Sequence, residues 1–345
     1  MPSVDKIEQE RQLEYPMGER LPEAGEALPL DGAPGIRWVR MRLPFALDHI
    51  NLWALRDVQA GREGWTLVDC GITNDATRAC WEQVFEGGLD GLPVLRLLVT
   101  HMHPDHIGLA HWLTERWTTP EHECRMWISG TDFNAARMAS QATTGFGGEA
   151  AARFMASHGL RDPDALEKIR LRSNYYASMV PKVPERHRRM LDGDRIRIGT
   201  NDAAGGGLWQ AIAGYGHAPE HISLHQSALG VMISGDMVLP RISTNVSVID
   251  LEPEADPLNL YLRSLERLRA LPSDTLVLPS HGRPFRGLHT RIEQLLEHHQ
   301  ERLAEVMQAC QLGPQTAAEL LPVLFRRPLD LHQTCLLYTS PSPRD

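Results

Sequence analysis

Residues 100–108 read Thr-His-Met-His-Pro-Asp-His-Ile-Gly, and they constrain this 345-residue chain more sharply than any other stretch. Three histidines and one aspartate fall within six positions: His101, His103, Asp105 and His106. Residues 94–100, Val-Leu-Arg-Leu-Leu-Val-Thr, form the short apolar, β-branched run of a buried strand. Pro104 and Gly108 argue against a helix across the motif and for a loop at the strand tip. A strand tip holds its loop rigidly, and chemistry is usually mounted on such loops.

In an extended loop, residues two apart point the same way, so His101 and His103 can grip one ion together. Asp105 and His106 are offset and can grip a second. Neutral imidazole and carboxylate suit zinc first, with iron(II) or manganese(II) as alternatives. The bland reading is a polar loop whose histidines only cap or solvate. One histidine would favour that reading; the whole cluster does not.

Length allows one large domain plus a small one, or two medium domains. At 42% hydrophobic and 23% charged the chain is ordinary for a globular protein. Its formal net charge of −9 disfavours wholesale nucleic-acid binding, though a local basic patch stays open. Residues 1–10 are charged and lack the apolar core of a signal peptide. No apolar run reaches the roughly 18 residues of a membrane span. Five scattered cysteines read as reduced thiols. Together these features predict a cytoplasmic protein without membrane contact. Its oligomeric state stays open.

Residues 1–34 are rich in Glu, Pro and Gly and read as a surface extension. Strand patterns follow at 35–44, 48–55 and 64–71. His49 is a tempting extra ligand, but a hydrogen-bonded histidine near the pocket is the better reading. A helix is expected over 74–86 with Thr73 or Asn74 as its cap, then a helix over 108–117 and a strand over 125–129. His111 and His122 fit no ligand slot. Residues 131–190 read as a helical block, with 11 Lys/Arg against 8 Asp/Glu counted over 131–195. It can serve as a cover or as a pocket wall, with Phe146, Arg172, Tyr175 and Tyr176 as candidate contacts. Strand signals resume at 194–199, 208–212, 228–236 and 275–282, and 258–271 is an amphipathic helix. Helices are expected over 291–310 and 313–325. Residues 335–345 break that pattern and read as a foreign tail.

The stretch 100–108 resembles the signature of the metallo-β-lactamase-fold hydrolases, and the glyoxalase II-like members in particular. The resemblance covers roughly residues 35–285. It implies that His101 and His103 serve one metal, and Asp105 and His106 the other. Gly214-Tyr-Gly-His-Ala-Pro-Glu-His-Ile-Ser resembles the family's G-H-x-P-x-H-[IT]-S segment, which makes His217 the next ligand. Glu220 stands where the family usually has a small residue. Gly235-Asp236 resembles the family's G-D element, with Asp236 bridging the metals. His281, at the tip of the last strand, completes the second site. Asp69, in the family's V-D-x-G element, is a candidate to orient a ligand histidine, or else a turn cap before Gly71. His221 and His225 read as structural.

The fold so implied is α/β: a four-layer αββα sandwich with ligands along one edge. Its catalytic domain spans 35–289 with a helical insert at 131–190. A small winged-helix-like unit at 290–334 follows, cut short. The implied function is a binuclear metal-dependent hydrolase. A hydroxide shared by two divalent ions, zinc first, attacks an ester or thioester, as in hydroxyacylglutathione hydrolases. Asp105 and Asp236 are the catalytic carboxylates. Asp236 argues against a true β-lactamase, which usually has Cys or Ser there. His103 argues against the redox di-iron branch, which commonly has Glu. The alternatives are a lactonase, a compact endoribonuclease and a non-catalytic metal-binding protein.

Overall fold

The computed structural model describes residues 9–45, 47–141, 147–172, 174–200 and 207–325. Strand β5 (Val94–Leu98) is buried at every position, as expected of a strand covered on both faces. It lies parallel to β4 (Arg62–Val68) and β6 (Arg125–Ser129). Around them a seven-stranded sheet runs in chain order from β1 (Ala27–Pro29) through β2 (Ile36–Arg42) and β3 (His49–Gln59) to β7 (His187–Met190). Its first four strands are antiparallel hairpins; the rest are parallel crossovers. A second, five-stranded sheet runs from β12 (Leu276–Pro279) through β11 (Val231–Gly235), β10 (His221–Gln226) and β9 (Leu208–Gly214) to β8 (Arg195–Arg197).

Hydrophobic alternation stacks the layers. Trp38, Trp53 and Leu98 from one sheet meet Trp209, Ile222 and Ile233 from the other in a buried cluster between them. Trp38 and Trp53 stack with centroids 6.1 Å apart. Val39, Leu97 and Met126 face outward onto Trp81 of α1 (Asp75–Gln83) and Leu113 of α3 (Ala110–Trp117). On the far side, Met232 and Val277 meet Tyr261 and Leu265 of α8 (Pro257–Leu268) and Ile292 of α9 (Leu288–Gln311). This is the αββα sandwich. Each large side chain removed from water stabilises it by about 1.5–3 kcal/mol.

Several local expectations give way. A helix does occupy the motif: α2 (Pro104–Ile107) begins with Pro104 in its first turn, after His103 as N-cap. Proline at that position lacks only an N–H that a helix start leaves unpaired anyway. The helix before β5 ends sooner than expected, and a π-helical turn at Val84–Gly88 takes its place. Asn74 is its cap, accepting from the Thr77 amide. The surface extension supplies β1, which pairs with β2.

Block 131–190 holds α4 (Gly130–Ala139), α5 (Gly148–Ser157), α6 (Pro163–Leu171) and α7 (Tyr175–Met179), but it also contains β7. Four residues, His-Arg-Arg-Met, carry no readable alternation; pairing with β6 makes them a strand. Nor does the C-terminal helix α10 (Ala317–Leu324) stand apart. Its Ala318 and Leu321 pack on Ala151, Met155 and Ile169 of α5 and α6. Phe146 and residues 335–345 lie outside the described residues.

Candidate metal centre

Every predicted donor is carried by a loop or turn at one edge of the sandwich. His101 and His103 follow β5, and α2 turns Asp105 and His106 into the same space. Gly108 lets this turn press on the chain after β4: a Cβ there would lie 2.8 Å from the Gly71 carbonyl oxygen. His217 lies between β9 and β10, Asp236 at the tip of β11 and His281 past β12. Three groups of donor atoms result, each within 4.8 Å: His101 with His103 and His217; Asp105 with His106 and His281; and His101 with His106 and Asp236.

Hydrogen bonding at the outer nitrogens assigns the imidazole tautomers. His106 Nδ1 donates to Asp69 Oδ2 at 2.8 Å, and His281 Nδ1 donates to the His49 carbonyl at 2.7 Å. His217 Nδ1 donates to the Asn245 carbonyl at 2.8 Å, with Thr244 Oγ1 at 2.9 Å. The Thr100 hydroxyl donates to Asp69 and so can accept from His101 Nδ1 at 3.0 Å. Four Nε2 lone pairs are thereby aimed inward. His217 Nε2 lies 3.1 Å from His101 Nε2, and His103 Nδ1 lies 2.9 Å from that same nitrogen. Lone pairs do not converge so closely without a positive charge between them. His106 Nε2 and Asp236 Oδ1 are moreover buried without a hydrogen-bond partner, which buried polar atoms rarely are. The donor set therefore fits divalent cations.

Asp236 presents one oxygen to each side. Its Oδ2 is 3.3 Å from His217 Nε2, while Oδ1 is 3.5 Å from His106 Nε2 and 3.4 Å from His281 Nε2. Asp105 Oδ2 lies 3.7 Å from His106 Nε2 and 3.5 Å from His281 Nε2. Electrostatics divides the cluster in the same way. Burial, and then the neighbouring imidazoles, hold His101 and His103 well below the usual histidine range. Burial also opposes charge on His106, but Asp105, Asp69 and Asp236 outweigh it and push this histidine well above that range. His281 is raised against its burial chiefly by Asp236. Asp236 is held well below the carboxylate range despite burial, first by His281 and then by His106. The carboxylate half of the centre thus favours a positive charge, whether proton or metal.

The supporting side chains include some that the sequence points to. Asp69 orients His106, and its φ of +61° is one that non-glycine residues rarely adopt. His49 belongs to no donor group; its Nε2 accepts from the Gly282 amide at 2.8 Å. His111 lies 3.0 Å from Glu115, one helical turn away, and His122 bonds the Leu95 carbonyl. His221 Nε2 accepts from the Asp236 amide at 3.1 Å, and only glycine fits before that aspartate: a Cβ on Gly235 would sit 2.2 Å from this nitrogen.

Sequence reasoning misses four supporting residues. Thr100 reads only as the end of a strand. Thr244 and Asn245 sit in a loop without a motif. Asp132, fully buried, accepts from the Met102 amide at 2.7 Å and the Glu220 amide at 2.6 Å, tying both histidine loops to α4. Its spacing from Ser129 signals only a helix cap. Of the expected pocket contacts, Tyr176 donates its hydroxyl to the Met102 carbonyl at 2.6 Å. The Arg172 guanidinium lies 5.1 Å from the Tyr175 ring centroid.

Comparisons with known proteins agree with this geometry. The family model described as metallo-beta-lactamase superfamily matches residues 47–281, and one described as metallo-beta-lactamase-like, C-terminal domain, matches 303–336. The chain is similar to a probable metallo-hydrolase, YqjP of Bacillus subtilis (strain 168), at 26% identity over 83% of this chain and 84% of that one. Among solved structures, a beta-lactamase domain protein from Burkholderia ambifaria is 52% identical, with a TM-score of 0.88 over 96% of this chain and 91% of that one. A metallo-beta-lactamase family protein from Thermus thermophilus is 25% identical, with a TM-score of 0.68 over 89% and 90%.

Proposed function

Because the chain belongs to the metallo-beta-lactamase superfamily and is a metal-dependent hydrolase, we propose that it uses two divalent cations, zinc first, to hydrolyse a carboxylic ester or thioester. His101, His103 and His217 would hold one ion, and Asp105, His106 and His281 the other. The observation that carries this reading is Asp236, with Oδ2 3.3 Å from His217 Nε2 and Oδ1 3.4 Å from His281 Nε2. A carboxylate facing both triplets in this way could be shared by the two cations.

Two bound cations supply Lewis acidity and lower the pKa of water towards about 7. The chain does the rest. Asp69, His49 and Asn245 fix the imidazoles by their Nδ1 hydrogens, so that each Nε2 stays a donor. Asp105 is 18% exposed against 10% for Asp236, so it is the carboxylate turned further towards incoming molecules. It orients an attacking water and holds the proton that passes to the leaving group.

Composition supports a small substrate. Net charge −9 opposes broad attraction to a phosphate backbone. Only 45 positions separate Asp236 from His281 (281 − 236), which leaves no room for a large nucleic-acid clamp. The mild excess of basic residues over 131–195, 11 against 8, suits a single anionic molecule such as a glutathione or CoA thioester. The test is a side-by-side assay on S-lactoylglutathione, an acyl-CoA, a homoserine lactone and a short single-stranded RNA, with His101→Ala as control. Metal-dependent cleavage of RNA alone refutes the proposal.

A further inference from the structure

Arg291, on α9, is only 3% exposed, yet no carboxylate pairs with it among the described residues. Burial lowers its affinity for its proton. A buried cation without a counter-ion is costly, so its hydrogen bonds must compensate. Its Nε donates to the Leu239 carbonyl at 2.6 Å and its Nη2 to the Ile242 carbonyl at 3.0 Å. Both carbonyls belong to 237–249, a segment without regular secondary structure that leaves the tip of β11 just after Asp236. Such a segment cannot pair its own backbone, and buried carbonyls need partners. Two residues beyond Ile242, the same segment supplies Thr244 Oγ1 and the Asn245 carbonyl, both within 2.9 Å of His217 Nδ1.

We propose that Arg291 is a positioning residue for His217: it fixes the loop whose Thr244 and Asn245 set the orientation of that imidazole. The guanidinium suits the task because its planar fork holds two carbonyls of one loop at once. It is itself braced. Nη1 donates to Gln294 Oε1 at 3.1 Å, and Gln294 Nε2 donates to the Gln9 carbonyl at 3.1 Å and to Gln12 Oε1 at 3.0 Å. Segments far apart in the chain, residues 9–12 and α9, therefore meet behind one donor triplet. The other triplet is supported differently: its His106 and His281 are held by Asp69 and the His49 carbonyl.

This inference rests on the two-cation reading, and one experiment separates the two. Metal-free protein is titrated with cobalt(II), and each site is followed by its absorption bands. His217→Ala and His281→Ala identify the bands. Arg291→Met is expected to weaken the His217 site by about 10–100-fold, the range for removing support behind a metal ligand, and to leave the His281 site within about twofold. Arg291→Lys, which keeps the charge, recovers part of the loss. Thr244→Val weakens the same site from the other end of the relay. If both sites weaken equally, or neither does, Arg291 is a structural residue only and the proposal is wrong. If Arg291→Met does not fold, Arg291→Lys and Thr244→Val decide by the same criterion. A wild-type chain that binds a single ion refutes the two-cation reading, while the affinity of that ion in the variants still decides the role of Arg291.

Discussion

The donor edge and the helical cover are built on opposite plans. At the edge, neighbours in space are strangers in sequence: Asp69 and His106 are 37 positions apart, and His49 and His281 are 232 apart. In the cover, Ala151, Met155, Leu160 and Ile169 form a small cluster from nearby stretches, closed by Ala318 and Leu321 of α10. Elsewhere in the same block, the Tyr176 hydroxyl bonds the loop that carries His101 and His103. A small satellite cluster of that kind can open without unfolding the sandwich. Geometry that must hold cations to fractions of an ångström belongs on the edge, where each support is a hydrogen bond of fixed length.

If that contrast is right, damage to the edge should abolish chemistry and damage to the cover should only reshape it. The largest effect is expected from Asp236→Ala. Losing the shared carboxylate should remove several kcal/mol of transition-state stabilisation, about 10³-fold or more in kcat, together with at least one ion. Steady-state kinetics and elemental analysis check this; unchanged turnover would refute the bridging role. Asp69→Asn keeps the size but weakens the acceptor behind His106, and should cost about 10–100-fold in metal affinity. A chelator competition that finds wild-type affinity would show that Asp69 serves the turn alone.

The pH dependence of metal binding sharpens the contrast further. His106 and His281 are raised above the ordinary histidine value, so in the metal-free chain each keeps its proton to higher pH than a free histidine does. A cation must displace those protons. As pH falls through those raised values, affinity at their triplet should drop by about tenfold per pH unit for each proton displaced, and the drop should set in at higher pH than for an ordinary histidine. Calorimetry in buffers of different ionisation enthalpy counts the protons released. The same shifts stabilise the metal-free fold: the contribution is complete below about pH 6.5 and fades as pH rises through the raised values. The smallest effect is expected in the cover. Tyr176→Phe removes one hydrogen bond, about 1 kcal/mol, and should change KM by no more than about fivefold with the metal content intact. A loss of metal in that variant would erase the distinction between cover and edge.

Much of the edge is legible in the residues. His101, His103, Asp105 and His106 stand within one turn of chain, and the later donors each follow an apolar strand, so motif and pattern point the same way. Asp69 is legible for the same reason, as the end of the strand 64–71. The four residues of β7 are not, because a parallel edge strand needs a neighbour more than a pattern. The helix at Pro104 escapes a reading that weighs proline as a breaker and not as a first-turn residue.

The sequence by itself determined the donor types, their order and the alternating strands that carry them, since periodicity and ligand chemistry are local properties. Tertiary structure alone decided which nitrogen of each histidine is free, that Asp236 faces both triplets, and that α10 closes the insert. It also decided that Asp132 and Arg291 stand behind the histidine loops. Apart from the bond between the neighbours Thr100 and His101, these depend on hydrogen bonds or contacts between residues many positions apart. No local pattern encodes such a partner; only the assembled fold brings it within 3 Å.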